Sequence, residues 1–313
     1  MILGMKMGSW VINVVNKVLL KLHLPCIDLL KLRQQYTFYR IRRSVPCSIK
    51  WLKSLTSWAE EKKIDKTSPI YVMWWTGEET MPPVVRLCYK NLCRNAKRHP
   101  IVLITKNNIY TLFPSIAQHI KEVEEKYNER KICIQHFSDI TRLLILDKIG
   151  GIWIDATVFV TPDWDENLVG KSFYSGRRSS TFANSGKSIT AGQWTSYFIA
   201  SVKGNPLINF MYNGLLEHYS RKGWISEYYT MDYLFTIGMS KSPIVRQIIE
   251  SVPEINANLF GLESLMHKPY NQAEYNSFLA TAPFFKLNHR IEYHCYDDNG
   301  ERTVFGYMTS LFG

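Results

Sequence analysis

The stretch that decides the fold is Gly150-Gly151-Ile152-Trp153-Ile154-Asp155-Ala156-Thr157-Val158-Phe159. A helical pattern, Phe137–Ile149, leads into the glycine pair, and glycine commonly ends a helix. The apolar run that follows predicts a buried strand over Ile152–Val160. Asp155 then brings a carboxylate to the strand, with the Thr157 hydroxyl two residues later. An Asp here either caps a turn or holds a metal ion bound to phosphate, and its surroundings favour the second interpretation.

Strands and helices alternate around this stretch. The predicted strands are 70–75, 101–104, 132–134 and 152–160, and the predicted helices between them are 82–98, 115–128 and 137–149. This alternation predicts an α/β fold with a mostly parallel sheet flanked by helices. Ligands of such sheets bind beyond the carboxyl ends of the strands. Trp75, Thr76 and Asp155 follow two such ends, so we expect them to share one crevice. Beyond residue 170 the pattern predicts helices over 196–202, 206–220, 231–239 and 244–251, and a strand over 284–293.

Positive charge is concentrated near the N-terminus. The chain has 313 residues and a formal net charge of +11, and residues 1–58 contain ten Lys or Arg but one acid, Asp28. Within this region, Trp10–Leu24 has an apolar and a polar helical face, which is typical of a helix lying on an anionic membrane. The alternative is a helix packed on the body of the protein. No apolar run is long enough to span a bilayer, and no signal-peptide pattern occurs.

The amino-acid composition narrows the classes of protein to which this chain can belong. A 46% hydrophobic chain of this length can bury a large core. Its six cysteines are scattered, with no C-x-x-C pair, so free thiols in a reducing cytoplasm are the simplest interpretation. Nucleic-acid binding is disfavoured because the basic segment is amphipathic and the body is nearly neutral.

Two further motifs have a functional and a structural interpretation. Asp139 and Arg142 share a helix face at i, i+3, where they can grip sugar hydroxyls or form a surface ion pair. In the pair Trp74-Trp75, one ring should face the core, and the other could stack on a base.

These motifs together resemble a known family. The segments Ile70–Gly77, Pro82-Pro83 and Val102–Asn107 look like the opening of the capsular polysaccharide synthesis glycosyltransferases, which are related to the family 32 sugar transferases. The segment His136–Thr157 resembles their Ser-Asp-x-x-Arg helix and Asp-x-Asp strand. The resemblance covers roughly residues 70–310 and is most specific over 135–160.

The resemblance implies a GT-A-like, Rossmann-type domain that uses a nucleotide-sugar donor and Mn²⁺ or Mg²⁺. By position, Asp139 and Arg142 would bind the donor sugar, Asp155 the metal and donor, and Trp75 and Thr76 the nucleotide. It divides the chain into a basic helical extension, 1–66, and a transferase domain, 67–313. The donor half of that domain spans about 67–165 and the acceptor half about 166–313.

One residue departs from the wider pattern. Thr157 stands where the broader superfamily has a second Asp, and a hydroxyl is the weaker metal ligand, so strict metal dependence stays open. In related folds a residue near the C-terminus completes the site, and His289 is the candidate. Lys286 or Arg290 could neutralise the leaving diphosphate. Each of these three could instead be an ordinary surface residue.

On the acceptor side, Trp194 and Asp232 resemble positions that recur in these transferases. Asp232 could orient an acceptor hydroxyl as a catalytic residue, or it could simply open a helix. The relatives mostly retain anomeric configuration, which removes the need for a general base.

The sequence therefore predicts a hexosyltransferase of bacterial capsular polysaccharide synthesis. It would act on a lipid-linked saccharide acceptor, in the cytoplasm, peripheral to the inner face of the plasma membrane. A nucleotidyl or phosphosugar transferase is the alternative enzyme, and a membrane-associated scaffold with a degenerate donor site is the non-enzymatic alternative.

Overall fold

The computed structural model describes residues 28–59, 62–179, 188–223 and 227–312. The predicted amphipathic helix over residues 10–24 lies outside the described residues. Within those ranges, every helix is too short or too polar to cross a lipid bilayer.

Helices and strands alternate through the first half of the described chain. The helices are α1 Leu29–Ser44, α2 Pro46–Ser54, α3 Pro83–Asn95, α4 Ile109–Leu112, α5 Ala117–Asn128, α6 Ile134–Lys148, α7 Pro206–Lys222, α8 Thr230–Lys241, α9 Pro243–Glu250, α10 Gly261–Leu265, α11 Gln272–Leu279 and α12 Val304–Phe312. The strands are β1 Ile70–Met73, β2 Ile101–Ile104, β3 Gly151–Ile154, β4 Val158–Val160, β5 Phe173–Ser175, β6 Arg177–Arg178, β7 Phe198–Ser201, β8 Glu254–Ile255 and β9 Phe284–Lys286.

The main sheet has the order β2-β1-β3-β7-β5 among the described residues. β1 pairs in parallel with both β2 and β3, whereas β7 is antiparallel to β3 and to β5. Four of these five strands therefore run in one direction, and the sheet is mostly parallel as predicted. β4 pairs with β9 beside it in a separate antiparallel ribbon.

The packing of α6 explains why the sheet forms where it does. Leu143, Leu144, Ile145 and Leu146 are fully buried, so this helix is apolar on nearly every side. It ends at the glycine pair, where Gly150 has φ +84° and Gly151 φ +117°. These angles favour glycine and let the chain reverse directly into β3. α6 and β3 thus bring Asp139, Arg142 and Asp155 to the same edge of the sheet.

Four predicted elements differ from the structure. Residues 132–134 are not a strand, because Ile134 already begins α6. The strand predicted over 152–160 is two strands, since a turn at Asp155, closed by the Val158 N–H donating to the Asp155 carbonyl at 2.9 Å, redirects the chain. The helix predicted over 196–202 is strand β7, buried between β3 and β5. The last predicted strand is also shorter, ending at Lys286.

The described part of the basic N-terminal region packs on the body. Helix α2 lies against α7, and α1 lies against α8 and α7. Ile41, Val45 and Leu52 are buried in this contact. Glu217 of α7 accepts hydrogen bonds from the backbone N–H groups of Cys47 and Ser48, at 3.0 and 2.9 Å. A carboxylate is favourable at that first turn of α2, so the helix is fixed by both apolar burial and capping.

Candidate active site

Asp155 lies at the centre of a polar cluster beyond the carboxyl end of β3. Its Oδ1 accepts hydrogen bonds from Arg142 Nη2 at 2.9 Å and from Trp153 Nε1 at 3.0 Å. Its Oδ2 accepts one from Lys286 Nζ at 2.9 Å. Burial alone would raise the pKa of Asp155, but Lys286 and Arg142 outweigh it and hold that pKa below its usual value. Among the described residues, the Asp155 carboxylate thus binds two cationic side chains and does not cap the turn that follows it.

Arg142 is buried, and both terminal nitrogens of its guanidinium donate hydrogen bonds to surrounding residues. Its side chain is 5% exposed, and its guanidinium lies 3.5 Å from Asp139 Oδ1 as well as 2.9 Å from Asp155. Nη1 also donates to the carbonyl of Ser196. The guanidinium carbon lies 5.0 Å from the ring centroid of Trp153, a cation–π distance. These contacts fix one orientation of the guanidinium, so Arg142 is part of a preorganised site and not the exposed ion pair that was its structural alternative.

Lys286 reaches the cluster from a distant part of the chain. Because β9 pairs with β4 in the register Val158 to Lys286, the lysine lies beside the turn that carries Asp155. Its Nζ is 2.6 Å from Thr157 Oγ1 and 2.9 Å from Asp155 Oδ2. It also lies 5.2 Å from the ring centroid of Tyr197. The structure therefore joins three of the predicted site residues, Asp155, Thr157 and Lys286, through one ammonium group.

Asp139 faces the same cluster, with its side chain 20% exposed. Burial raises the pKa of Asp139 to about 7; Arg142 opposes that shift, while the charges of Asp155 and Asp232 add to it. The charge of Asp232, a predicted acceptor-side residue, thus acts on Asp139, a predicted donor-side residue. A carboxyl that titrates near neutrality can accept or donate hydrogen bonds to a polar ligand.

Trp194 and Asp232, the two residues predicted for the acceptor side, form a hydrogen-bonded pair. Trp194 Nε1 donates to Asp232 Oδ1 at 3.0 Å, and the indole stacks on Phe235 with centroids 4.8 Å apart. Asp232 lies in the first turn of α8. Burial raises the pKa of Asp232 to about 6, against the hydrogen bond from Trp194. Trp194 is itself buried, so in this structure its indole positions Asp232 rather than offering an open stacking surface.

The predicted nucleotide residues lie at the neighbouring strand end. Trp75 follows β1, is partly buried and meets Phe137 of α6 edge-on, with centroids 4.9 Å apart. Thr76 is exposed, and its hydroxyl is hydrogen-bonded to that of Thr80. No contact that the structure gives for either residue reaches Asp155, so sheet topology alone relates them to it: β1 and β3 are adjacent and parallel.

His289 occupies a more peripheral position. It is exposed, and its ring meets Trp74 edge-on at 6.1 Å. Burial lowers the pKa of His289, and the charges of Arg290 and Lys286 lower it further, which places all three in one basic rim.

The predicted metal ligands do not fit a divalent ion in the arrangement that the structure gives them. Both oxygens of Asp155 already accept hydrogen bonds from cationic side chains, and the Thr157 hydroxyl faces the ammonium of Lys286. Within the described ranges, no three His, Cys, Asp or Glu side chains are grouped to hold a metal. A divalent ion needs several oxygen ligands directed at it, and the described arrangement of Asp155 and Thr157 does not offer them.

Two residues of this site were not predicted. Trp153 contacts both Asp155 and Arg142; it stands two residues before Asp155, and strand alternation places such residues on one face. Tyr197 supplies a carbonyl to the Asp155 N–H at 2.9 Å and a ring to Lys286, but the wrong helix prediction hid this role.

Comparison with known proteins identifies the family. The family model described as "Capsular polysaccharide synthesis protein" matches residues 28–307. No curated protein matches significantly. Among solved structures, the chain is similar to one named "PaToxG Glycosyltransferase", with 16% identity and a TM-score of 0.40, covering 79% of this chain and 94% of that one. So distant a match supports no argument about function.

The family match spans nearly all of the described residues, from α1 to α12, and includes every residue of the Asp155 cluster. The chain therefore belongs to the capsular polysaccharide synthesis protein family.

Proposed function

We propose that this protein is a glycosyltransferase that moves a sugar from a nucleotide-diphosphate donor to a saccharide acceptor during capsular polysaccharide synthesis. The observation that carries the proposal is the cluster in which Arg142 and Lys286 both bind Asp155. It holds two positive charges at the carboxyl edge of a mostly parallel sheet, where such folds bind their ligands. Membership of the family narrows the chemistry to polysaccharide assembly.

The residues suit the two halves of glycosyl transfer. Departure of a nucleoside diphosphate needs stabilisation of developing negative charge, which the Arg142 guanidinium and Lys286 ammonium can supply. Asp139 and Arg142 can bind sugar hydroxyls as acceptor and donor of hydrogen bonds. Asp232, in the first turn of α8, can orient the incoming hydroxyl, so that the reacting groups are held in place. In this proposal Trp75 and Thr76 bind the nucleotide.

Metal dependence, retention of anomeric configuration, the GT-A relationship and the link to family 32 remain predictions from the sequence. Asp155, Thr157 and His289 are the ligands that the sequence predicts for Mn²⁺ or Mg²⁺, whereas the structure gives Asp155 and Thr157 cationic side chains as partners.

A basic corner between α1 and α2 suits the proposed attachment to an anionic membrane. It contains a groove of about 620 Å³ lined by Tyr39, Arg42, Arg43, Pro46, Ile49, Lys50 and Lys53. The charges of Arg42 and Lys53 act on Lys241 nearby and, after burial, lower its pKa further. Like charges held close together in this way favour a multivalent anionic surface, such as a bilayer of acidic lipids carrying the acceptor.

The test is donor use by the purified full-length chain. A panel of nucleotide sugars, each with and without Mn²⁺, is incubated with the protein, and calorimetry and mass spectrometry follow binding and products. We expect release of a nucleoside diphosphate from at least one donor. Release of a nucleoside monophosphate or pyrophosphate would indicate the alternative transferase, and the absence of any binding or turnover across the panel would refute the proposal.

A further inference from the structure

The ammonium of Lys286 lies between Asp155 and Thr157, two of the three residues that the sequence predicts as metal ligands. Nζ is 2.9 Å from Asp155 Oδ2 and 2.6 Å from Thr157 Oγ1. The lysine side chain is 20% exposed, so the group is reachable from the solvent side of the cluster. An ammonium has three N–H donors, and Asp155 and Thr157 take two of them. The third is available to a ligand that enters the crevice.

The backbone holds this ammonium firmly in place. The Lys286 N–H donates to the Leu259 carbonyl at 2.7 Å, and the Leu287 N–H donates to the Thr157 carbonyl at 2.9 Å. Lys286 ends β9, which pairs with β4, and its two partners, Asp155 and Thr157, lie in the short turn that leads from β3 into β4. A group held by packed strands keeps its geometry when charge develops nearby.

The charges of the cluster also disfavour a divalent ion there. Arg142 forms an ion pair with Oδ1 of Asp155, and Lys286 forms one with Oδ2. A metal ion entering between Asp155 and Thr157 would displace the ammonium and place two charges beside the buried guanidinium. Repulsion between charges a few ångströms apart in a partly buried site is strong. The pair of cations already provides two positive charges, the same number that a divalent ion would bring.

We propose that Lys286, together with Arg142, takes the place of a divalent metal, so that this enzyme binds and turns over its nucleotide sugar without one. The inference rests on the proposed glycosyl transfer. In the step, the bond between the sugar C1 and the β-phosphate oxygen breaks, and its electron pair stays on that oxygen. The acceptor oxygen bonds to C1, and its proton passes to the departing diphosphate. Lys286 remains an ammonium throughout and donates a hydrogen bond to the diphosphate.

Thr157 has a defined part in this arrangement. Its hydroxyl accepts a hydrogen bond from Lys286 Nζ. An Asp at position 157 would instead place a second carboxylate beside Asp155, which would neutralise the ammonium and attract a metal ion. Thr at this position, in place of the Asp of the wider pattern, and Lys286 therefore act together: the hydroxyl binds the ammonium without neutralising it. Exchanging both should convert the site into a metal-binding one.

The first experiment measures donor turnover by chelator-treated full-length protein, in EDTA and in Mn²⁺. We expect wild-type rates to agree within about two-fold, because no step uses the metal. Lys286→Met should lower turnover by about 10² to 10³, the loss typical of removing one charge-stabilising donor. Lys286→Arg should keep part of the activity. Lys268→Met, which removes an exposed lysine paired with Glu274, is the matched control and should behave as wild type.

The second experiment needs no turnover. Mn²⁺ binding is measured by calorimetry on the wild type and on a double variant, Thr157→Asp with Lys286→Ala. We expect no binding by the wild type at millimolar Mn²⁺ and clear binding by the double variant, lost again when Asp155→Asn is added. Circular dichroism on each variant confirms that it is folded.

The outcomes separate the two proposals. Wild-type turnover that EDTA abolishes and Mn²⁺ restores, or wild-type Mn²⁺ binding that Asp155→Asn removes, would overturn the role of Lys286 while leaving glycosyl transfer intact. If no nucleotide sugar is bound or cleaved under any condition, the proposed function itself fails.

Discussion

Lys286 Nζ lies 2.9 Å from Asp155 Oδ2, although 131 residues separate the two in the chain. The opposite oxygen of the same carboxylate binds the buried Arg142. One carboxylate therefore links a helix, a strand end and a C-terminal ribbon. Its loss should affect both the fold and the chemistry, and the two effects can be separated.

Asp155→Asn is expected to abolish donor turnover and to lower stability at pH 7. The amide leaves two cations facing each other with no anion between them, at a cost of about 1–3 kcal/mol in the free energy of unfolding. The folded-state pKa of Asp155 is lowered, so its ionised form stabilises the protein above the unfolded value of 3.8, and this contribution is lost as the pH falls below it. The difference between variant and wild type should therefore shrink in acid.

Urea unfolding at pH 7 and below pH 3 measures this effect, because the contribution of the ionised carboxylate is lost only below the unfolded value of 3.8. Asp163→Asn is the control, because that side chain is 75% exposed and lies 4.0 Å from Lys97. Equal stability of Asp155→Asn and wild type at pH 7 would show that the carboxylate is not a structural link.

Asp139→Asn should have the opposite effect on stability. Burial raises the pKa of Asp139 to about 7, with Arg142 opposing and the neighbouring carboxylates adding to the shift. Because the pKa of Asp139 is higher in the folded state, its contribution to stability is complete when the pH is below the unfolded value of 3.8. That contribution is lost as the pH rises through 7. At pH 8 the variant should be more stable than wild type by about 1–3 kcal/mol, and near pH 4 the two should be equal.

The same variant should lose donor binding, because it removes the hydrogen-bond acceptor proposed for the sugar. Thermal unfolding at the two pH values and calorimetry with the donor check both parts. A variant that is less stable at pH 8 would show that the ion pair with Arg142, and not burial, dominates at Asp139.

The local elements were predictable where the pattern is unambiguous. The strand over 101–104 is predicted with the bounds that the structure has, since an apolar run between Pro100 and a polar turn allows little else. The helix predicted over 196–202 was wrong, because the four buried residues Phe198–Ser201 have no periodicity that separates a helix from a strand. Only its pairing with β3 and β5, a long-range contact, decides the outcome.

The site shows the same limit. Asp139, Arg142 and Asp155 lie within one helix–strand unit, so their meeting follows from local geometry and motif. The residue type of Lys286 suggested a phosphate partner, but its contact with Asp155 depends on β9 pairing with β4, and no local pattern predicts that register. The same register makes the Thr157 hydroxyl the hydrogen-bond partner of the Lys286 ammonium, which no local pattern predicts.

The glycine pair allows a matched test of steric fit. Gly150 and Gly170 have nearly equal angles, φ +84° and φ +82°, so Ala at either should cost about 1–2 kcal/mol of backbone strain. A Cβ on Gly150 would lie 2.8 Å from the Lys203 nitrogen, whereas one on Gly170 would meet nothing within 4 Å. Gly150→Ala should therefore destabilise the protein by about 1–3 kcal/mol more than Gly170→Ala.

Chemical denaturation of the two variants gives the comparison directly. Equal losses would mean that the turn between α6 and β3 can shift to make room. In that case the position of Asp155 would depend less on the glycine pair than the structure indicates.

Trp194→Phe tests the acceptor-side pair. Phe keeps the stack on Phe235 but cannot donate to Asp232 Oδ1. Burial already raises the pKa of Asp232 to about 6, and the Trp194 hydrogen bond opposes that rise. The pKa should therefore increase further in the variant, and any step that needs the ionised carboxylate should shift its acid limb to higher pH. A carbon-13 titration of the Asp carboxyls measures the shift, with Trp58→Phe as the control. An unchanged or lower pKa would contradict the proposed positioning role.

The basic corner of α1 and α2 gives the last prediction. Arg42→Glu combined with Lys53→Glu should weaken binding of the full-length chain to vesicles of acidic phospholipid by on the order of 1 kcal/mol for each cation removed, and by more for the added acids. Both residues are exposed, whereas the residues that anchor these helices, Ile41 and Leu52, are untouched. The fold should therefore persist while binding falls.

Flotation with acidic and with neutral vesicles, at low and high salt, measures the effect. The control is Arg98→Glu combined with Lys121→Glu, which changes the net charge equally at two other exposed positions. If both double variants lose binding alike, attraction depends on net charge rather than on the corner. If neither does, the basic corner is not the membrane-facing surface, because electrostatic attraction to acidic lipids cannot survive reversal of the charges that produce it.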